Sequence, residues 1–138
     1  MIQHKHIIMR AEIKNPPEKS ILNSRILNKE INKLIKAIGM KVVLPARCAY
    51  VEAEGNEGYT GQAGLETSHI AYHIWNKPDK SIMTVGGGLL QMDIYTCGCL
   101  GLKEYVILLD WIDEQFKLLY CEFKAFDRAE RIIEVKLQ

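Results

Sequence analysis

The segment LNSRILNKEINKLIKAIG, residues 22–39, carries the clearest structural signal in the chain. Its apolar residues recur three or four positions apart, at Leu22, Ile26, Leu27, Ile31, Leu34, Ile35 and Ile38. This stripe is typical of an amphipathic helix that buries one face. Asn15 ahead of Pro16-Pro17 is a candidate N-cap, and Gly39 is a candidate stop. The segment predicts one long helix packed against a single core.

Strand patterns lie on both sides of this helix. Strands are predicted at residues 6–13, 40–44, 48–53, 69–75, 81–85, 89–97, 118–124 and 132–137, and a second helix at residues 101–116. Four glycines at positions 55, 58, 61 and 64 predict a loop. Short turns between consecutive strands favour an antiparallel sheet. The predicted fold is therefore α+β, a two-layer sandwich with both long helices on one face of the sheet.

Size and charge narrow the class of protein. The 138 residues suit one domain spanning residues 1–138, and the net charge of +1 comes from mixed positive and negative residues. No basic block favours nucleic acid, and no run approaches the roughly 20 apolar residues that cross a bilayer. Four cysteines without a metal-ligand spacing predict free thiols and no metal site. We expect a cytoplasmic protein without a membrane or nucleic-acid partner.

Three short segments carry the residue types of a reactive site. They are YTG at residues 59–61, TSHIAYHIW at residues 67–75 and DIYTCG at residues 93–98. Each alone is weak, because a histidine facing a sheet is usually structural. Ser68, His73 and Cys97 also do not form a hydrolase triad, since no carboxylate is placed to orient the base.

Taken in order, these segments resemble the short prokaryotic S-adenosylmethionine decarboxylases. That family carries a serine followed by histidine, a second histidine five residues after the serine, and a Thr-Cys-Gly strand end. Ser68, His69, His73 and Cys97 fill these positions, and Thr60 fills a hydroxyl position eight residues before the serine. The resemblance runs from about residue 4 to about residue 124.

The resemblance implies a self-made cofactor. The Ser68 hydroxyl would attack the Thr67 carbonyl, and β-elimination would leave a pyruvoyl group on Ser68. Thr60 and His73 would assist this cleavage, His73 as the base. The pyruvoyl carbonyl would form a Schiff base with a small-molecule substrate and accept electrons as carbon dioxide leaves. Cys97 would return a proton.

A parity argument constrains this assignment. Residues five apart on a straight strand face opposite sides, so Ser68 and His73 converge only if the chain bends at Ser68. We therefore expect Ser68 at a junction between loop and strand.

Two residues depart from the family pattern. Thr67 stands where the family has glutamate before the serine, with Glu66 one place earlier. Lys77 stands where a glutamate binds the substrate ribose, and lysine has no acceptor for a diol. Glu66, Trp75 and Asp79 are the predicted substrate-binding residues. The extra residues 81–88 predict a longer hairpin with a flexible tip, and the terminal His4-Lys5-His6 predicts a frayed end.

The leading hypothesis is a carboxy-lyase acting on S-adenosylmethionine for polyamine and spermidine synthesis. A decarboxylase of arginine or ornithine and an uncut, non-catalytic binding paralogue are the alternatives. The resemblance also implies a homodimer with active sites near the interface, α₂β₂ once the zymogen is cleaved.

Overall fold

The computed structural model describes residues 2–82 and 84–138, and these form two helices and seven strands. The helices are α1 (Ile21–Ala37) and α2 (Leu102–Phe116). The strands are β1 (Lys5–Ile13), β2 (Val42–Val51), β3 (Gly58–Leu65), β4 (Ser68–Trp75), β5 (Gly88–Thr96), β6 (Leu118–Asp127) and β7 (Ile133–Val135).

The described strands form one antiparallel sheet in the order β2-β3-β4-β5-β1-β6-β7. Both helices pack on one face, where alternate strand residues such as Ile7, Ile70 and Ile94 are buried with Leu34 and Ile112. The predicted α+β two-layer sandwich is confirmed. The opposite face of the sheet, which we call the open face, has no helix packed on it among the described residues.

The first helix begins later than its pattern predicts. Ser20 is the N-cap, and its hydroxyl accepts a hydrogen bond from the Asn23 amide at 2.9 Å. Asn15 is therefore not the cap, and Pro16-Pro17 lie in the connection from β1. Leu22 is 66% exposed, whereas Leu27, Ile31, Leu34 and Ile35 are buried. The buried stripe is thus about one turn shorter than predicted.

The glycine-rich segment is a strand and not a loop. Residues of β3 pair with β4 from Gly58 opposite Trp75 to Leu65 opposite Ser68. A side chain at Gly61 would lie 2.4 Å from the Tyr72 ring, so glycine is needed there for close packing. Residues 40–44 and 48–53 were also predicted as separate strands, but β2 runs through Pro45. An edge strand tolerates proline because its outer amides need no partner.

The predicted strand at residues 81–85 is wrong for the described residues 81, 82, 84 and 85, and Met83 lies outside the described part of the chain. Instead, the Val85 amide donates a hydrogen bond to the Glu12 carboxylate at 3.1 Å, so this connection folds back over the end of β1. A side chain at Gly88 would lie 2.7 Å from Pro16. The glycines of this segment therefore allow a close chain approach.

Candidate active site

Ser68 is the first residue of β4 and directly follows a two-residue turn. Leu65 and Ser68 are paired across this turn, which Glu66 and Thr67 form. Thr67 has a φ of +58°, a left-handed conformation that is unusual for a β-branched residue. Ser68 lies at a junction between turn and strand, as predicted, and the peptide bond before it adjoins a strained residue.

Cys97 contacts both sides of that peptide bond. Its amide donates a hydrogen bond to Ser68 Oγ at 3.0 Å, and its thiol donates to the Thr67 carbonyl oxygen at 3.3 Å. The Ser68 hydroxyl donates to the Glu66 carbonyl oxygen at 3.3 Å. The serine oxygen and the thiol thus meet at the Thr67-Ser68 bond, although they are far apart in the chain.

A histidine and a tyrosine surround the thiol. Nδ1 of His4 lies 3.5 Å from Cys97 Sγ and 2.9 Å from the Tyr95 hydroxyl. The Arg128 guanidinium lies 4.3 Å from the centre of the Tyr95 ring, in cation–π geometry. The hydrogen bond that Tyr95 shares with the Cys97 sulfur raises the pKa of Tyr95, and the phenol is protonated near neutral pH.

A cleft of about 680 Å³ lies beside the thiol. Small-molecule sites in proteins commonly have volumes of roughly 300–1,000 Å³. Ser68, Cys97 and His4 lie on its wall beside Thr67 and Glu66. The cleft therefore has the size of a metabolite site and carries the nucleophile candidate on its surface.

His73 and Thr60 lie elsewhere. They are paired with each other across β3 and β4 and line a separate concavity on the open face. Five residues of straight strand separate His73 from Ser68, about 16 Å at ~3.3 Å per residue. Strand β4 is paired on both sides over this stretch, so it does not bend His73 back toward Ser68. Within one chain the structure does not bring these two residues together.

The local contacts of His73 fix the state of its ring. Nε2 of His73 lies 3.3 Å from the Asn56 carbonyl oxygen and donates to it, and the ring packs edge-on against Trp75 at 4.2 Å. Burial lowers the pKa of His73 below its usual value, partly offset by the Asn56 contact. The imidazole is therefore neutral near pH 7, with Nδ1 as the basic nitrogen.

The predicted substrate-binding residues are divided between the two regions. Glu66 lies at the cleft and is 4.0 Å from Lys41. Trp75 and Lys77 lie at the far end of β4, where Trp75 Nε1 donates to Asn56 Oδ1 at 3.0 Å. The Asp79 carboxylate accepts from the Ser81 amide at 2.9 Å, which lowers the pKa of Asp79.

Sequence reasoning missed His4, Tyr95 and Arg128. The predicted frayed end at His4 is wrong, because the Gln3 amide donates to the Cys97 carbonyl at 3.0 Å and the Arg128 amide donates to the His4 carbonyl at 2.7 Å. The alternation of residues along β5 could have placed Tyr95 on the open face. There it is paired with both His6 and His69.

Two surveys of the described residues bear on other functions. No three or more His, Cys, Asp or Glu side chains within residues 2–82 and 84–138 are grouped to hold a metal ion. No helix in those residues has the length and apolar character that crossing a membrane requires.

The chain is similar to known proteins of one family. The model of the family described as S-adenosylmethionine decarboxylase matches residues 5–129. A protein of Methanococcus maripaludis strain C7, named S-adenosylmethionine decarboxylase proenzyme, is 30% identical over 132 residues, which cover 95% of this chain and 92% of that protein. The crystal structure of the adenosylmethionine decarboxylase from Aquifex aeolicus VF5 has a TM-score of 0.62 at 17% identity, with 99% of this chain and 98% of that chain covered, and supports the fold alone. The chain therefore belongs to the S-adenosylmethionine decarboxylase family of carboxy-lyases.

Proposed function

We propose that this protein is a proenzyme that cleaves itself between Thr67 and Ser68 and then decarboxylates S-adenosylmethionine. One observation carries the proposal: the Cys97 amide and thiol contact the two sides of the bond that would be cut. Membership of the decarboxylase family supplies the reaction class.

The first step is an acyl shift. The Ser68 hydroxyl oxygen attacks the Thr67 carbonyl carbon, and the C–N bond breaks, so the amide becomes an ester. The Cys97 thiol, a weak hydrogen-bond donor, faces the carbonyl oxygen that gains negative charge. The strained φ of Thr67 raises the energy of the uncut turn and favours its opening.

The second step divides the chain. Loss of the Ser68 α-proton to a base breaks the ester C–O bond, which leaves Thr67 with a carboxylate. Hydrolysis of the resulting dehydroalanine releases ammonia and leaves a pyruvoyl group at residue 68. This group, once formed, supplies a ketone that accepts electrons as the substrate loses carbon dioxide. The residues around Ser68 fit its formation, because the hydroxyl, the scissile carbonyl and a donor to each lie together.

A second chain would supply the base. His73 and Thr60 lie on the open face, about 16 Å along the strand from Ser68. In a homodimer with a two-fold axis, two open faces packed together in opposite directions bring the His73 end of each chain to the Ser68 end of its partner. A neutral imidazole with a free Nδ1 suits removal of the α-proton.

The same dimer would bring the candidate substrate-binding residues to the active site. Trp75, Lys77 and Asp79 lie at the same end of β4 as His73, so the dimer would carry them to the partner's cleft. Lys77 cannot accept hydrogen bonds from ribose, whereas Asp79 can. We assign S-adenosylmethionine as the substrate, used in the cytoplasm for polyamine synthesis, with Asp79 as the candidate diol acceptor.

Intact-mass analysis tests cleavage. Two fragments that meet at Thr67-Ser68, with pyruvate on the larger, are expected after incubation, and one uncut chain would contradict the proposal. Carbon dioxide release is then compared for S-adenosylmethionine, arginine and ornithine. Release from arginine or ornithine alone would reject the substrate assignment but keep the reaction class.

A further inference from the structure

His4 is held beside Cys97 by its backbone. The neighbouring Gln3 amide donates to the Cys97 carbonyl, and the His4 carbonyl accepts from the Arg128 amide. The imidazole is partly buried and lies in the same cleft as Ser68. Its position is therefore fixed by β5 on one side and by the segment after β6 on the other.

The ring contacts establish which nitrogen faces the thiol. Nδ1 of His4 lies within reach of both Cys97 Sγ, at 3.5 Å, and the Tyr95 hydroxyl, at 2.9 Å. The raised pKa of Tyr95 keeps the phenol protonated, so it donates to Nδ1 when the imidazole is neutral. A neutral His4 then carries its proton on Nε2, and a second proton enters at Nδ1, facing the sulfur.

Charged and titratable side chains surround Tyr95, the residue that contacts His4. Arg128 lies over the Tyr95 ring, and the rings of His69 and His6 lie 5.7 and 6.2 Å from it. His6 is bonded to Asp93 at 3.0 Å, which offsets its charge when it is protonated. Arg128 therefore places a permanent positive charge beside Tyr95, whose hydroxyl is bonded to His4.

We propose that His4 returns a proton to Cys97 after each turnover, while Tyr95 positions the imidazole. This inference rests on the proposed function, in which the Cys97 thiol protonates the substrate carbon after carbon dioxide leaves. The thiolate then takes the proton from His4 Nδ1, which leaves the neutral ring with its proton on Nε2, and a proton from water returns to Nδ1. No electrons are gained or lost by the side chains, and each cycle consumes one solvent proton.

The test uses the full chain with Cys48, Cys99 and Cys121 changed to serine, so that Cys97 is the remaining thiol. Alkylation of Cys97 by iodoacetamide is timed at pH 7.5 for this protein, for His4→Phe and for the matched control His6→Phe. We expect about tenfold slower alkylation in His4→Phe and the parent rate in the control, because Nδ1 of His4 lies 3.5 Å from the sulfur whereas His6 is bonded to Asp93. Alkylation of His4→Phe at the parent rate overturns the inference, whether or not the protein decarboxylates.

Turnover supplies the second readout. In His4→Ala, kcat should fall about tenfold or more with KM unchanged, and added imidazole should restore it in proportion to its concentration. Loss of activity without rescue, with Cys97 alkylation unchanged, shows a structural role and rejects the relay. If the parent protein cuts no chain and releases no carbon dioxide while alkylation still depends on His4, the proposed function fails and the coupling between His4 and Cys97 stands.

Discussion

The two ends of strand β4 differ in what they offer to chemistry. At Ser68 the strand leaves a strained turn, and Ser68 is bonded to Cys97 beside a cleft that His4 also lines. Near Trp75 it is paired on both sides, and its His73 is bonded to a backbone carbonyl. In the proposed function, one end holds the bond to be cut and the other holds the base. The difference teaches that a strand paired on both sides keeps Ser68 and His73 apart within one chain, so the proposed function needs a second chain.

Mixing two inactive variants is the most direct test of whether Ser68 and His73 act from different chains. Ser68→Ala should abolish cleavage, because no hydroxyl remains, and His73→Ala should nearly abolish it. When the two are co-expressed, the mixed dimer contains one complete site. Random pairing then lets roughly a quarter of all chains be cut.

Intact-mass analysis of the co-expressed proteins measures that fraction. Co-expression of Ser68→Ala with a Ser68→Ala, His73→Ala double variant is the control, and it should show no cut chain. Absence of cut chains in the test mixture, with mixed dimers present, would reject the assignment of His73 to the partner's site.

At the Ser68 end of β4, the Cys97→Ala variant separates the role of the thiol in turnover from its role in self-cleavage. With pre-cut enzyme, kcat should fall about 10²–10⁴-fold, the usual range for loss of a proton donor. Cleavage of the precursor should slow by less than about tenfold, because the amide that donates to Ser68 Oγ remains while one thiol hydrogen bond is lost. Decarboxylation and cleavage rates measured separately test this split, with the exposed Cys99→Ala as the control. Equal loss in both rates would contradict it.

Strain at the turn is tested at Thr67. Glycine adopts a left-handed φ without cost, so Thr67→Gly should slow self-cleavage about tenfold by removing roughly 1–2 kcal/mol of strain from the uncut state. Thr67→Ala keeps a Cβ and therefore most of the strain, and it should cut close to the parent rate. The time course of cleavage on denaturing gels decides. Faster cutting by the glycine variant than by the alanine variant would show that strain does not contribute.

At the Trp75 end of β4, the Lys77→Glu variant tests recognition of the substrate ribose. This change restores an acceptor for the ribose diol, and one such hydrogen bond is worth about 1 kcal/mol, so KM for S-adenosylmethionine should fall about fivefold with kcat unchanged. Lys80→Glu, at another exposed site of the same turn, controls for charge. An equal fall in KM for both variants would indicate general charge attraction.

The sequence predicted the local elements of the fold better than the contacts between distant residues. The α1 stripe and the alternation of β4 are local periodicities, so the helix, the strand and its faces followed directly. Strand β3 was missed because its glycines suggest a loop, whereas Gly61 makes room for the Tyr72 ring. The contact between His4 and Cys97 joins residues 93 positions apart. Such a pairing depends on strand order, which local spacing does not contain.

The smallest expected effect is a pH dependence of stability at the far end. Burial lowers the pKa of His73, so on acidification the unfolded chain binds a proton near its usual pKa of about 6.5 before the folded chain does. The contribution of neutral His73 to stability is therefore present above about pH 6.5 and is lost as pH falls below it. His73→Gln keeps a donor for the Asn56 carbonyl but does not titrate, so its melting temperature should fall less between pH 7 and pH 5 than that of the parent protein. His69→Gln, at an exposed site near the other end of the same strand, is the matched control. If the melting temperatures of the parent and of His73→Gln fall equally across this range, the pKa of His73 is the same in the folded and unfolded chains. That result would also remove the reason for assigning His73 as a neutral base.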